Sequence, residues 1–170
     1  GIIRTGTDVN SLCINSGSVT GIETVSGDKI EGDAVISAVP AADLVPLLRH
    51  ATKKVKGFFS SAESVATSPI VAIHIWYDKP VMKDRFVAVL NSPLQWVFND
   101  TALKYRNDEG GQHVVISLSG AWEWQHKSKQ ELRKIFTTEM KKIFTTAKNV
   151  SVKKFSVVKT LDATFRVEPG

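Results

Sequence analysis

Residues 68–82, SPIVAIHIWYDKPVM, constrain the fold more than any other stretch of this chain. The run from 69 to 77 is rich in β-branched and aromatic residues and closes at Asp78-Lys79-Pro80, the signature of a strand ended by a turn. Ile73 and Ile75 flank His74, and side chains alternate across a strand, so His74 points to the face opposite both isoleucines. Further on, SPLQWVFND repeats the pattern: a Ser-Pro opening, a tryptophan, an apolar run and a closing Asp. Two such runs either fill the core of an ordinary sheet or form the wall of a pocket for a large apolar molecule.

The remaining elements supply what a sheet of this kind packs against. Residues 86–91, 95–99 and HVVISLSGAW from 113 read as further strands, with 100–111 a charged loop carrying a Gly-Gly pair. Residues 128–147 read as a long amphipathic helix. Ser128 and Glu131 form a capping box, and Leu132, Ile135, Phe136, Met140, Ile143, Phe144 and Ala147 recur at spacings of three and four. VSVKKFSVVKTLDATFRV then reads as a final strand, or two joined by a bend. The first forty residues read as a small β-meander, with turns at Ser16-Gly17 and Ser26-Gly27-Asp28. Ala34, Val35, Ile36, Ala38 and Val39 are nearly continuous, as in a strand covered on both faces. This run breaks at Pro40 into a short helix with a Leu44, Val45, Leu47, Leu48 stripe. Residues 50–67 are polar around an apolar knot at Phe58 and Phe59. The fold class expected is α+β: a mixed, largely antiparallel sheet with the long helix packed on it.

Composition narrows the function classes. Apolar residues make up 42% and charged residues 23% of the 170, an ordinary globular balance. There is no CxxC pair, HExxH, P-loop or GxGxxG, so neither a metal centre nor a phosphate-cradling loop is expected here. The lone Cys13 excludes a disulfide framework, reads as a buried thiol and fits a reducing, cytoplasmic setting. The net charge of +5 is carried partly by lysines at 53, 54 and 56 and from 127 to 159. No nucleic-acid-binding signature accompanies them, so no nucleic acid partner is expected. Solvated surface and peripheral contact with a membrane's inner face are the two readings that stay open. The chain opens on GIIRTGTD, without an initiator methionine, and reads as a piece of a longer protein.

The stretch IIRTGTDVNSLCINSGSVTGIETVSGDKIEGDAVISAVPAADLVPLL resembles a segment of the FAD-dependent amine oxidase and phytoene desaturase superfamily. SPIVAIHIWYDKPVM, SPLQWVFND, VVISLSGA and VVKTLDATF are similar to its squalene-associated desaturase branch, the hydroxysqualene dehydroxylases. The resemblance implies that 1–40 belong to an FAD-binding domain, that 41–160 form a substrate-binding domain, and that 161–170 start the return to the first. It places Val9 against the adenine of FAD through backbone groups, and Ala38 and Pro40 on the strand leading out of the cofactor domain. It implies an oxidoreductase that acts on an isoprenoid, with the substrate a large apolar small molecule. Protoporphyrinogen or amine oxidation is the alternative within the superfamily, and a non-enzymatic lipid-binding module the alternative outside it.

A triterpene-sized substrate has almost no hydrogen-bonding groups, so its pocket must be long, apolar and aromatic. Trp76, Trp96 and Phe98, with Phe86, suit such a wall; plain sheet core is the alternative for each. His74 is either a structural, hydrogen-bonded histidine or a substrate contact with near-neutral acid–base chemistry. Asp78 and Asp100 end strands and are expected to cap or turn. No residue is assigned a catalytic role by its spacing alone.

Overall fold

The computed structural model describes residues 1–104 and 110–167. They divide into two compact units, 1–66 with the segment after residue 165, and 67–165.

The first unit is built on a three-stranded antiparallel sheet, β1 (Val9–Asn15), β2 (Ser18–Thr24) and β3 (Lys29–Glu31), in the order β1-β2-β3. The β1–β2 link is two residues with φ of 48° at Ser16 and 83° at Gly17. Two positive φ values match the right-handed twist of the flanking strands, and Gly takes the second at no steric cost. At Gly21 a Cβ would collide with the Ile30 carbonyl of β3, so only glycine lets these strands pair in this register. Two short helices follow, α1 (Ala41–Leu47) and α2 (Lys53–Phe58), the second capped by the Thr52 hydroxyl, then a 3-10 turn over Ser60–Ser64. Leu12, Leu48 and Ala51 form the small core, with Ile14, Ile22, Leu44 and Leu47 packed around it. Cys13 is only half-buried, against the expectation of a buried thiol: it lies on β1, the edge strand of the small sheet.

The run 34–39 is not a strand: residues 32–40 are irregular, and Ile36 is 92% exposed. A strand needs a neighbour to take its N–H and C=O groups, and none of the described strands pairs with this segment. Residues 50–67 hold α2 and a 3-10 turn where only polar chain was expected. Phe58 and Phe59 do meet edge to face, with centroids 5.0 Å apart.

The second unit is a five-stranded sheet, β4 (Thr67–Tyr77), β5 (Phe86–Ala88), β6 (Trp96–Asn99), β7 (Gln112–Ser119) and β8 (Val152–Phe165), in the order β5-β6-β7-β4-β8. Every pairing recorded among the described residues is antiparallel, so the sheet is not mixed. β5 ends at Ala88, three residues earlier than its apolar run. β8 is one strand, and its pairing with β4 slips between Ser68 and Ile70. Pro69 sits at that slip, where its missing N–H costs the ladder nothing. Residues 100–111 are not all loop: Asp100–Leu103 form a helical turn, α3, capped by the Asn99 side chain; 105–109 lie outside the described residues.

One face of this sheet is closed by α4 (Lys129–Ile143). The capping box forms: Ser128 Oγ accepts from the Glu131 N–H, and the Glu131 carboxylate accepts from the Ser128 N–H. Leu132, Phe136 and Met140, all fully buried, pack with Val71, Ile73, Ile75, Val97, Val114, Ile116 and Leu118 from the strands. The buried stripe is narrower than the spacing suggests. α4 stops at Ile143, which is 43% exposed, and Ala147 reaches the core from a 3-10 turn beyond it. No helix among the described residues is long and apolar enough to cross a membrane.

Candidate functional site

The residues that α4 does not cover lie on the other face of the sheet, and strand register sorts them into rows. Lys154, Trp76 and His113 form one row, which Asp100 extends from the start of α3. Ser156, His74, Val115, Phe98 and Phe86 form the next. Val158, Ala72, Ser117, Trp96 and Ala88 form a third. All four side chains expected at a substrate therefore share one face: His74, Trp76, Trp96 and Phe98.

They divide into two groups. Trp96, Phe98 and Phe86 cluster with ring centroids 6.2–6.3 Å apart, toward the β5 edge. Trp96 is 44% and Phe86 56% exposed, although both are large and apolar. The other group is polar and ordered. Trp76 lies between His113 of β7, whose ring stacks on it at 4.1 Å and 4°, and Lys154 of β8, whose ammonium sits 4.7 Å from the indole centroid. The indole faces are thus occupied from within the sheet, so Trp76 offers an apolar molecule less of its ring than Trp96 does.

His113 links His74 to a carboxylate. Its Nδ1 is 2.8 Å from Asp100 Oδ2, and its Nε2 is 3.1 Å from His74 Nδ1. Asp100 also meets Lys104 Nζ at 2.9 Å. Burial opposes the charge of Asp100, but the hydrogen bond from Lys104 and the cationic partners outweigh it and hold the carboxyl below its usual range. Burial pushes both histidines below the usual imidazole value, and the Asp100 charge offsets this only in part. An ionised carboxylate can only accept, so His113 carries its proton on Nδ1. Neutral His113 then accepts at Nε2 from the Nδ1–H of His74, which leaves the His74 Nε2 with a free lone pair. Two further bonds fix this end of β7. The His113 N–H donates to Thr101 Oγ1 at 2.8 Å. The Gln112 side chain clasps the loop at Val81 and Met82, accepting from both N–H groups and donating to the Met82 carbonyl.

Sequence reasoning missed His113 and gave Asp100 only a turn or cap role. The signal lies in pairing: His113 opposes Trp76 across 37 residues of chain, and local alternation does not encode that register. Asp78, by contrast, does what strand-ending aspartates do, accepting from the Ser151 N–H at 2.7 Å. No cluster of three metal-ligating side chains occurs among the described residues.

In the first unit, Val9 opens β1, the free edge of its sheet, and is 38% exposed. Ala38 and Pro40 are exposed in the irregular segment. The exposed main chain at Val9 is what a nucleotide cofactor held by backbone contacts would need, whereas Pro40 has no N–H and its carbonyl accepts from the Asp43 and Leu44 N–H groups of α1.

Comparison with known proteins agrees with this architecture. The chain matches the family described as flavin containing amine oxidoreductase over residues 1–169, and it belongs to that family. It is 26% identical over 158 residues to the 15-cis-phytoene desaturase of Synechococcus elongatus, an overlap of 89% of this chain and 33% of that protein. It is 26% identical over 179 residues to the chloroplastic/chromoplastic enzyme of the same name from Capsicum annuum, covering 100% of this chain and 31% of that one. The chain thus spans about a third of the length of these relatives. Among solved structures, an oxidoreductase from Methanosarcina mazei superposes with a TM-score of 0.69 at 18% identity, over 89% of this chain and 36% of its own. A putative protoporphyrinogen oxidase from Exiguobacterium superposes with a TM-score of 0.62 at 14% identity, over 95% and 35%. At these identities the structural likeness establishes the fold alone.

Proposed function

We propose that residues 67–165 form the substrate-binding sheet, and residues 1–66 a part of the cofactor-binding domain, of an FAD-dependent oxidoreductase acting on an isoprenoid such as squalene, hydroxysqualene or a carotenoid precursor. The observation that carries this reading is the open sheet face, where exposed Phe86 and Trp96 and half-buried Phe98 stand in contiguous rows opposite a fully packed core. Monomeric surfaces rarely leave aromatics grouped this way unless something apolar covers them. Similarity to 15-cis-phytoene desaturases supports the isoprenoid class.

The cofactor supplies hydride-accepting chemistry when bound, and the protein supplies binding, orientation and exclusion of water. Val9 would hold its nucleotide end through backbone groups, with Ala38 and Pro40 on the segment that leads out of that domain. Trp96, Phe98 and Phe86 hold the substrate chain by area and shape, since hydrogen bonds are not available to it. His74 stands at the junction of the apolar and polar rows. The exposed lysines of α4 suit a peripheral contact with an anionic membrane, from which such substrates are drawn.

The test is anaerobic incubation of the intact flavoprotein with squalene or phytoene, following loss of the oxidised flavin absorbance. Bleaching by one of these with a stoichiometric oxidised product supports the reading. Bleaching only by an amine or a porphyrinogen overturns it.

A further inference from the structure

The polar end of the open face holds more chemistry than an apolar pocket requires. A hydrocarbon has no use for two histidines and a carboxylate, and desolvating them costs stability that packing alone would not incur. Yet the sheet spends three side chains, from three separate elements, on one continuous line of hydrogen bonds: Asp100 of α3, His113 of β7 and His74 of β4. Lys104 braces the far end, and the Trp76 stack with Lys154 beyond it holds the His113 ring in plane. Among the described residues, Asp100, Lys104 and the two imidazoles are the charged or titratable groups that act on one another here, and Lys154 is the cation next along the row.

We propose that this line supplies the base of the reaction: His74 Nε2 accepts the proton that leaves the substrate carbon, while His113 and Asp100 are positioning residues that keep His74 in the tautomer able to accept it. The inference rests on the isoprenoid-oxidase reading above. Making a carbon–carbon double bond from two adjacent C–H groups releases a hydride equivalent and a proton. The hydride equivalent is what a flavin takes up; the proton needs an acceptor. As the second C–H bond breaks, an N–H bond forms at His74 Nε2, and the electron pair left on carbon becomes the new π bond. His74 becomes an imidazolium. Its Nδ1–H already points at His113 Nε2, and the Asp100 carboxylate beyond compensates the new charge through His113. The location agrees with the role, because His74 shares its row with Phe98 and Phe86, so the base stands where the apolar wall begins.

Two measurements on the intact flavoprotein test this. The first needs no turnover: nitrogen-15 NMR of the histidine rings at pH 7.5. His74 should show a protonated Nδ1 and a bare Nε2, and Asp100→Asn should move its titration to lower pH. A protonated Nε2 on His74 overturns the proposal. The second is the pH dependence of flavin reduction by squalene or phytoene. The rate should fall on an acid limb as His74 protonates. His74→Gln should lose about 10²–10⁴-fold and the limb with it, whereas Asp100→Asn should keep the limb and shift it to lower pH. His74→Gln within threefold of the parent, with the limb intact, sinks the proposal and leaves the isoprenoid reading standing. If His74→Gln fails to fold, the limb shift in Asp100→Asn decides. If only an amine or porphyrinogen reduces the flavin, the isoprenoid reading falls, and the same variants on that substrate decide for or against the base.

Discussion

Phe136 is fully buried with its ring edge-on to Trp124, centroids 5.2 Å apart, while Ile143 on the same helix is 43% exposed. Phe136→Ala should therefore cost about 3–5 kcal/mol, from lost burial and the cavity left behind. Ile143→Ala should cost less than about 1 kcal/mol. Denaturant melts of the two variants check this, and equal losses would mean that the helix packs in another rotation. The two hydrogen-bonded histidines make a second prediction at this scale. Burial holds both below the ordinary imidazole value of about 6.5, so the unfolded chain binds more protons than the folded one as pH falls through that value. Their contribution to stability is present above pH 6.5 and is lost on acidification below it. Melting temperature should decline from pH 6.5 toward 5, and the His74→Gln/His113→Gln double variant should lose much of that slope. An unchanged slope would show that other groups set it.

At the scale of elements, what could be read from sequence was whatever is local. The Ser128/Glu131 box and the three–four spacing define α4, and Ser128→Ala should cost about 1 kcal/mol through loss of the cap. A thermal melt within error of the parent would show that the box is dispensable here. Alternation in IVAIHIWY placed His74 opposite Ile73 and Ile75, and β4 keeps that parity through Tyr77, with Trp76 on the His74 face. Three features needed non-local information. The run 34–39 has strand composition but no pairing partner among the described residues. α2 is short, lysine-rich and contains Gly57, so neither period nor propensity announces it. The Asp100–His113–His74 line depends on the β4–β7 register and on α3 starting where β6 ends, and the sequence around each member reads as ordinary strand or turn.

At the scale of the whole molecule, the two units have separate small and large cores, and the proposed substrate surface is the face of the second that its helix leaves open. Trp96 is the sharpest probe of that division. A core Trp→Ala typically costs 3–5 kcal/mol. Trp96, on the open face, should lose less stability in the Trp96→Ala variant, and lose more in kcat/KM on an isoprenoid, because a hydrocarbon is held in register only by shape. Core-sized destabilisation with unchanged kinetics would make these rows plain sheet surface. The superfamily was legible because residues 2–48 carry its pattern as contiguous sequence. The hydrogen-bonded line of the candidate site was not, because residues 74, 100 and 113 are drawn from three elements.

An indole held parallel to an imidazole at 4.1 Å is also an optical probe. Neutral imidazole is a poor quencher of indole emission, and imidazolium is a good one, because it accepts an electron from the excited ring. Trp76 should therefore dim as His113 takes up a proton, so the intrinsic fluorescence of the folded protein should fall with acid along the same curve that NMR assigns to His113. Trp76→Phe should abolish that component while leaving the emission of Trp96, Trp122 and Trp124. A pH-independent Trp76 signal would mean that the ring stacked on it never acquires charge in the folded state.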